Sequence, residues 1–117
     1  MHELSIAQAI VAQIDAIKAD RNIERVMAIT VRIGSLSGVE RHALEMAFPI
    51  ALEAAGLEPL ELRIESVPAR VRCRDCGHEF SPDTLIFLCE QCEGINVDIC
   101  AGRELEISAL QVERNSD

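Results

Sequence analysis

The chain has 117 residues, of which 49% are hydrophobic, and its formal net charge is −9 at pH 7. This length suits one domain, or one domain that carries a small inserted module. A strongly acidic surface repels phosphate backbones, so the charge argues against a nucleic-acid partner. Trp and Tyr are absent and only three Phe occur, so the core must be mainly aliphatic.

No stretch of the sequence reaches the roughly 18 consecutive apolar residues that a membrane helix needs. The first residues also lack a basic segment followed by an apolar one, so we expect no secretory signal. We therefore expect a cytoplasmic protein whose thiols stay reduced. Five cysteines in that compartment favour a metal site over disulfides.

The first predicted element is a helix over residues 4–19. Its apolar residues recur three or four positions apart, which is helical spacing. Ser5 and Gln8 match the capping-box pattern, which predicts Ser5 as the N-cap. The apolar positions are Ala7, Ile10, Val11, Ile14 and Ile17.

A strand is predicted over residues 25–36, because apolar and polar residues alternate there. Ile29, Val31 and Ile33 would share one face, with Thr30 and Arg32 on the other. Residues 34–38 contain two glycines and two serines and predict a turn.

The turn leads into a second predicted helix, with Ser37 and Glu40 as its capping box. Gly56 is expected to end it. Pro49 lies inside this pattern and cannot donate to the carbonyl of Glu45, so we expect a kink, or a helix in two pieces. The predicted buried positions are Leu44, Ala47, Phe48, Ala51, Leu52 and Ala55.

Two further strands are predicted, over residues 60–67 and 104–112. In the first, Leu60, Leu62 and Ile64 would point inward between outward charged residues. The second alternates imperfectly around Ser108 and Ala109, which predicts a β-bulge. The step from the strand at 25–36 to the strand at 60–67 would give parallel strands and a right-handed crossover if the two are neighbours.

Two cysteine pairs lie between these last strands. Cys73 and Cys76 are separated by two residues, as are Cys89 and Cys92, and twelve residues separate the pairs. This spacing predicts a hairpin that brings four sulfurs around one metal ion, which is typical of structural zinc. Iron in the same cage stays open as an alternative, and four ordinary buried cysteines are a further one.

We expect neither Cys100 nor His78 to be a ligand, since four sulfurs already fill a closed site. Cys100 is instead interpreted as a plain thiol, and His78 and His42 as surface residues. So short a module cannot bury enough surface to fold alone, so metal binding must contribute on the order of 10 kcal/mol. Pro68 and Gly102 mark its borders, where we expect some hinge motion.

These elements predict an α/β fold. Two helices pack on a small mixed three-stranded sheet, and the four-cysteine zinc module is inserted before the last strand.

The first three residues form a second candidate metal site. The α-amine of Met1, the backbone nitrogen of His2 and the Nδ1 atom of its imidazole can close two fused chelate rings around one metal ion. Glu3 could add its carboxylate or its backbone nitrogen. Planar nitrogen coordination favours nickel(II) or copper(II) over zinc. The alternative is that His2 merely belongs to a frayed chain end.

Four features together resemble one known family. The opening MHELSIAQ, the turn IGSLSGVE, the two cysteine pairs and the closing GRELEISALQVE are similar to the HypA/HybF hydrogenase maturation proteins, which are nickel metallochaperones. The resemblance implies nickel at Met1, His2 and Glu3. It also implies structural zinc at the four paired cysteines, Cys73, Cys76, Cys89 and Cys92.

The same resemblance implies delivery of nickel to the large-subunit precursor of nickel–iron hydrogenase, with the nickel-handling GTPase HypB as a partner. Some members also serve urease. It further implies a nickel-binding domain over residues 1–67 plus 103–117 and a zinc module over residues 68–102. Cys100 and Pro49 depart from the pattern we expect for the family.

Two other functions are alternatives to nickel delivery. One is an adaptor that binds a protein partner at its sheet edge, and the other is a one-electron iron protein. An enzyme is not expected, because the sequence has no nucleophile–base motif and no phosphate-binding GxxxxGK[ST].

Overall fold

A computed structural model describes residues 3–82 and 86–114. Within these ranges the chain forms two helices and two three-stranded sheets. The elements in chain order are α1 (Glu3–Asp20), β1 (Ile23–Gly34), α2 (Arg41–Ala54), β2 (Glu61–Val67), β3 (Arg70–Cys73), β4 (Glu79–Phe80), β5 (Val97–Ala101) and β6 (Leu105–Arg114).

The larger sheet has the strand order β2-β1-β6. β1 pairs in parallel with β2 and antiparallel with β6, so the sheet is mixed, as predicted. Thr30 lies opposite Ala109 and Val31 lies opposite Ile107, which leaves Ser108 as an extra residue on β6. The predicted bulge is therefore confirmed at Ser108.

The two helices cover one face of this sheet. The predicted inward face of β1 is confirmed, since Ile29, Val31 and Ile33 are all buried. Leu44 and Phe48 of α2 are buried in the same core. Ala55 was wrongly predicted to be buried; it follows the last turn of α2 and is exposed. We call α1, α2, β1, β2 and β6 the body.

Both predicted helix caps are wrong. α1 begins at Glu3, so Ser5 lies within its first turn. α2 is capped by Glu40, whose carboxylate oxygens accept the backbone N–H groups of His42 (3.1 Å) and Ala43 (2.6 Å). The bond from Ala43, then that from His42, holds the pKa of Glu40 below its usual value. The Ser37 hydroxyl accepts the N–H of Val39 instead.

α2 runs without interruption through Pro49, so the expected division into two pieces does not occur. Glu45 and Pro49 both lie on the exposed side of the helix, where water can reach the carbonyl that the proline leaves unpaired. Gly56 ends the helix as predicted, with φ 72°. The N–H of Leu57 then donates to the carbonyl of Leu52, as in a Schellman motif.

β3, β4 and β5, with the segments that join them, are called the cysteine module. They form a small antiparallel sheet in the order β4-β3-β5. Its buried cluster consists of Val71, Cys73, Phe80 and Cys89. The hairpin expected from the cysteine spacing is thus part of a small sheet that the sequence did not predict.

The body and the cysteine module meet at the end of β1. The N–H of Gly34 donates to the carbonyl of Glu104 (2.8 Å), and the N–H of Leu36 donates to the carbonyl of Gly102 (2.6 Å). A Cβ atom at Gly34 would lie 2.0 Å from the carbonyl oxygen of Gly102. Only glycine permits this backbone contact, which lies beside both borders of the module. Hinge motion at those borders stays a prediction.

Candidate metal centres

The first cysteine knuckle follows directly from β3. The N–H of Gly77 donates to the carbonyl of Cys73, and the N–H of Cys73 donates to the carbonyl of His78, both at 2.9 Å. Gly77 has φ 80°, a left-handed conformation that glycine adopts without strain. This tight turn brings Cys76 beside Cys73.

The second knuckle repeats the first, residue for residue. The N–H of Glu93 donates to the carbonyl of Cys89, and the N–H of Cys89 donates to the carbonyl of Gly94, again at 2.9 Å. Glu93 takes the place of Gly77 and has φ 62°. Sequence reasoning missed this strained glutamate, although its position directly after Cys92 mirrors that of Gly77 after Cys76.

The four sulfur atoms come together between the knuckles. The Sγ atoms of Cys73 and Cys92 lie 3.5 Å apart, as do those of Cys76 and Cys89. All four lie within 4.8 Å of one another. A tetrahedral zinc ion with bonds of about 2.3 Å places its sulfurs about 3.8 Å apart, so the donor set fits a single metal ion.

Gly94 leaves room for this cluster. A Cβ atom there would lie 2.8 Å from Oδ2 of Asp75 and 3.2 Å from Sγ of Cys92. Cys73 and Cys89 are buried, whereas Cys76 and Cys92 are exposed. One side of the cluster therefore packs on the small sheet and the other faces solvent.

The thiols differ in how readily they ionise. Burial raises the pKa of Cys89, but the backbone N–H groups of Cys92 and Gln91 outweigh it and lower the pKa to about 6. At Cys92 the N–H of Gly94 lowers the pKa, but the neighbouring thiols, Cys73 first, raise it to about 12. Four thiolates this close repel one another, so a bound cation is needed to keep all four ionised.

Cys100 and His78 lie outside the cluster, as predicted. Cys100 is exposed on β5, and its thiol donates to the carbonyl of Asp98 at 3.8 Å. The His78 ring stacks on Phe80, and its Nε2 atom lies 3.6 Å from a carboxylate oxygen of Glu90. His42 is exposed on α2, also as predicted.

Of the three predicted nickel ligands, Met1 and His2 lie outside the described residues. Glu3 is the first residue of α1, and its Oε2 atom accepts the backbone N–H of Glu40 at 3.4 Å. The Glu3 carboxylate therefore lies at the N-terminus of α2. The carboxylate of Glu40 instead accepts the N–H groups of His42 and Ala43.

Comparison with known proteins identifies the family. A family model described as hydrogenase/urease nickel incorporation, metallochaperone HypA matches residues 1–112. The chain belongs to the HypA family. The resemblance read from the opening, the turn, the cysteine pairs and the closing segment is confirmed.

Relatives and solved structures agree with this assignment. The chain is 37% identical to hydrogenase maturation factor HypA of Desulfitobacterium hafniense over 113 residues, which cover 97% of this chain and 99% of that one. It is 42% identical to HypA of Chloroflexus aurantiacus over 112 residues, covering 95% and 98%. The solution structure of the Ni metallochaperone HypA from Helicobacter pylori matches with a TM-score of 0.71 at 26% identity, covering 98% and 100%.

HypA membership establishes the class of function. The protein is a hydrogenase-maturation metallochaperone of the nickel-incorporation family, and it is not an enzyme. Its four paired cysteines form a metal site. No helix in the described ranges is long and apolar enough to cross a membrane.

Proposed function

We propose that this HypA-family protein binds Ni(II) through Met1, His2 and Glu3 and delivers it to the large subunit of nickel–iron hydrogenase during maturation. The observation that carries the proposal is the match to the nickel-incorporation family, which begins at residue 1. The cargo site then consists of the first three residues and nothing deeper in the fold.

The chemistry of these residues supports a carrier. The amine, the backbone nitrogen and the imidazole together offer three nitrogen ligands in one plane, which suits nickel(II). The contact between the Glu3 carboxylate and the N–H of Glu40 places Glu3 at the N-terminal end of α2. Ligands at a chain end can detach one at a time, which allows release to a partner.

Zinc is the metal we assign to Cys73, Cys76, Cys89 and Cys92, where it stabilises the cysteine module without joining the transfer of nickel. The closed set of four sulfurs supports a structural role. Iron would suit the same sulfurs. Protein purified without added metal is expected to be colourless with one zinc per chain, and a red protein containing iron would refute the assignment.

The partners in this proposal are the GTPase HypB and the hydrogenase large-subunit precursor, with urease maturation proteins as further candidates. GTP hydrolysis would belong to HypB. The proposed site of action is the cytoplasm. The proposed domains are residues 1–67 plus 103–117 for nickel and residues 68–102 for zinc.

The decisive experiment is nickel titration of untagged protein, with two altered chains beside it. His2→Ala removes the imidazole, and extra residues placed before Met1 convert the amine into an amide. Both changes should abolish tight nickel binding and leave zinc bound. The same residues added after Asp117 are the matched control and should leave nickel binding unchanged. Unchanged nickel affinity in both altered chains would refute the site.

Acid should weaken the proposed site. An α-amino group in a peptide has a pKa of about 7.7–8.0 and an imidazole has a pKa of about 6.5, so protons compete with nickel for these nitrogens across that pH range. Nickel affinity measured by calorimetry should therefore fall steeply below neutral pH. An affinity that stays flat down to about pH 5.5 would exclude these ligands.

A further inference from the structure

The strand β6 has one open side. It pairs only with β1 among the described residues, so its other edge carries unpaired backbone N–H and C=O groups. The only bulge on β6 itself lies at Ser108. The other two irregularities of the β1–β6 pairing are extra residues on β1, Glu24 and Met27. Residues 109–114 of β6 are thus regular over the length of a typical strand.

A cavity lies beside this regular stretch, between β6 and the C-terminal end of α1. Its volume is about 320 Å³. Leu110 and Val112 pack on the core from β6 but are only partly buried, so the sheet is incompletely covered here. The residues that line it include Ile17, Arg21, Ile23, Leu110, Val112 and Arg114.

Two arginines give this cavity its charge. Arg21 and Arg114 both line it, and neither side chain has a carboxylate partner within the described residues. Most other arginines of the body are paired, for example Arg25 with Glu58 and Arg63 with Glu61. Two unpaired guanidinium groups at one cavity of a chain with net charge −9 favour a carboxylate ligand.

We infer that residues 109–114 of β6 accept an extended segment of another protein as an added strand. Alternate side chains of a strand point to one face, so one apolar side chain enters the cavity and a carboxylate two residues away meets Arg21 and Arg114. The partner is a segment in which an apolar and an acidic residue alternate with polar ones. This inference goes beyond the nickel site, because it uses none of the proposed nickel ligands.

The test uses the full chain labelled with nitrogen-15 and two synthetic peptides. The first is acetyl-Thr-Val-Thr-Leu-Thr-Glu-Thr-amide, and the second carries Lys in place of Glu. The first peptide should shift the amide signals of β6 and of the C-terminal end of α1. The second should bind about tenfold more weakly, the loss of one charge-assisted contact. Shifts confined to any other surface would overturn the inference.

Substitutions of single arginines test whether Arg21 contacts the carboxylate of the peptide. Arg21→Glu should weaken binding of the Glu peptide and strengthen binding of the Lys peptide. Arg70→Glu, which changes another exposed arginine, on β3, that has no described carboxylate partner, should change neither. Equal effects of the two variants would refute the role of Arg21. Sedimentation of the wild-type and Arg21→Glu chains is the last measurement. A wild-type dimer that Arg21→Glu abolishes would mean that a second copy of the chain, and not another protein, binds at β6, and would overturn the inference.

Discussion

The body and the cysteine module differ in what stabilises each of them. Among the described residues, the body has fifteen buried residues in one hydrophobic cluster and the module has four, including two of the four paired cysteines, Cys73 and Cys89. Burial at about 25 cal/mol per Å² can stabilise the first region but leaves the second short of what folding requires. We therefore expect the body to fold by its core and the cysteine module to fold only with a metal ion bound.

The largest expected effect is the loss of the metal site. Cys73→Ser should unfold the cysteine module, because metal binding contributes on the order of 10 kcal/mol to so small a unit. Amide NMR should show the module signals collapse while those of the body persist. Cys100→Ser is the matched control and should leave both regions folded. Unfolding of the body together with the module would contradict the view that each region is stabilised separately.

The corresponding change in the body is Phe48→Ala. Phe48 is 2% exposed, and removing such a side chain from a core costs about 3–5 kcal/mol. Urea denaturation should show this loss while the zinc content of the folded protein stays at one per chain. Met46→Ala, on the exposed side of the same helix at 64%, should cost little. Equal midpoints for the two variants would argue against the assigned core.

The contact between the two regions can be broken with one methyl group. Gly34→Ala places a Cβ atom 2.0 Å from a backbone oxygen of Gly102, which should cost about 3 kcal/mol. Gly38→Ala is the comparison for backbone strain without a clash, since Gly38 has φ 81° and no atom lies within 4 Å of the added carbon, whereas Gly34 is not left-handed. Thermal unfolding of the two variants checks the difference. A loss at Gly34 no larger than the loss at Gly38 would contradict a clash of this size.

The smallest expected effect comes from relieving the backbone strain at Glu93 in the cysteine module. Glu93→Gly should stabilise the second knuckle by about 1 kcal/mol, because glycine adopts φ 62° without the steric cost of a side chain. Competition with a zinc chelator should show slower metal loss. Gln91→Gly, in the same knuckle but without a left-handed backbone, should not help. A gain from Gln91→Gly of equal size would contradict the strain at Glu93.

Long periodic elements were predictable from the sequence. The alternation at Ile29, Val31 and Ile33 identified the central strand, and the break in alternation at Ser108 identified its neighbour's bulge. The cysteine pairs identified the metal cluster because a thiolate cage needs few other residues to define it. Each of these signals is local and repeats within a few positions.

Predictions that depended on competition between residues were less successful. Ser37 and Glu40 can both cap α2, and the tertiary structure assigns the cap to Glu40 while Ser37 binds Val39. The short strands β3, β4 and β5 were missed because two to five residues carry no clear alternation. The nickel ligands were inferred from a three-residue motif, and only Glu3 has a described position.

The place of the module in the chain affects how a new molecule is made. β1 lies at the centre of its sheet, yet its antiparallel partner β6 is encoded after all four paired cysteines. During synthesis the ribosome therefore exposes the thiols before the sheet can be completed. A shortage of the structural ion would then act on nascent chains, which stay unfinished and prone to aggregation, earlier than on mature molecules.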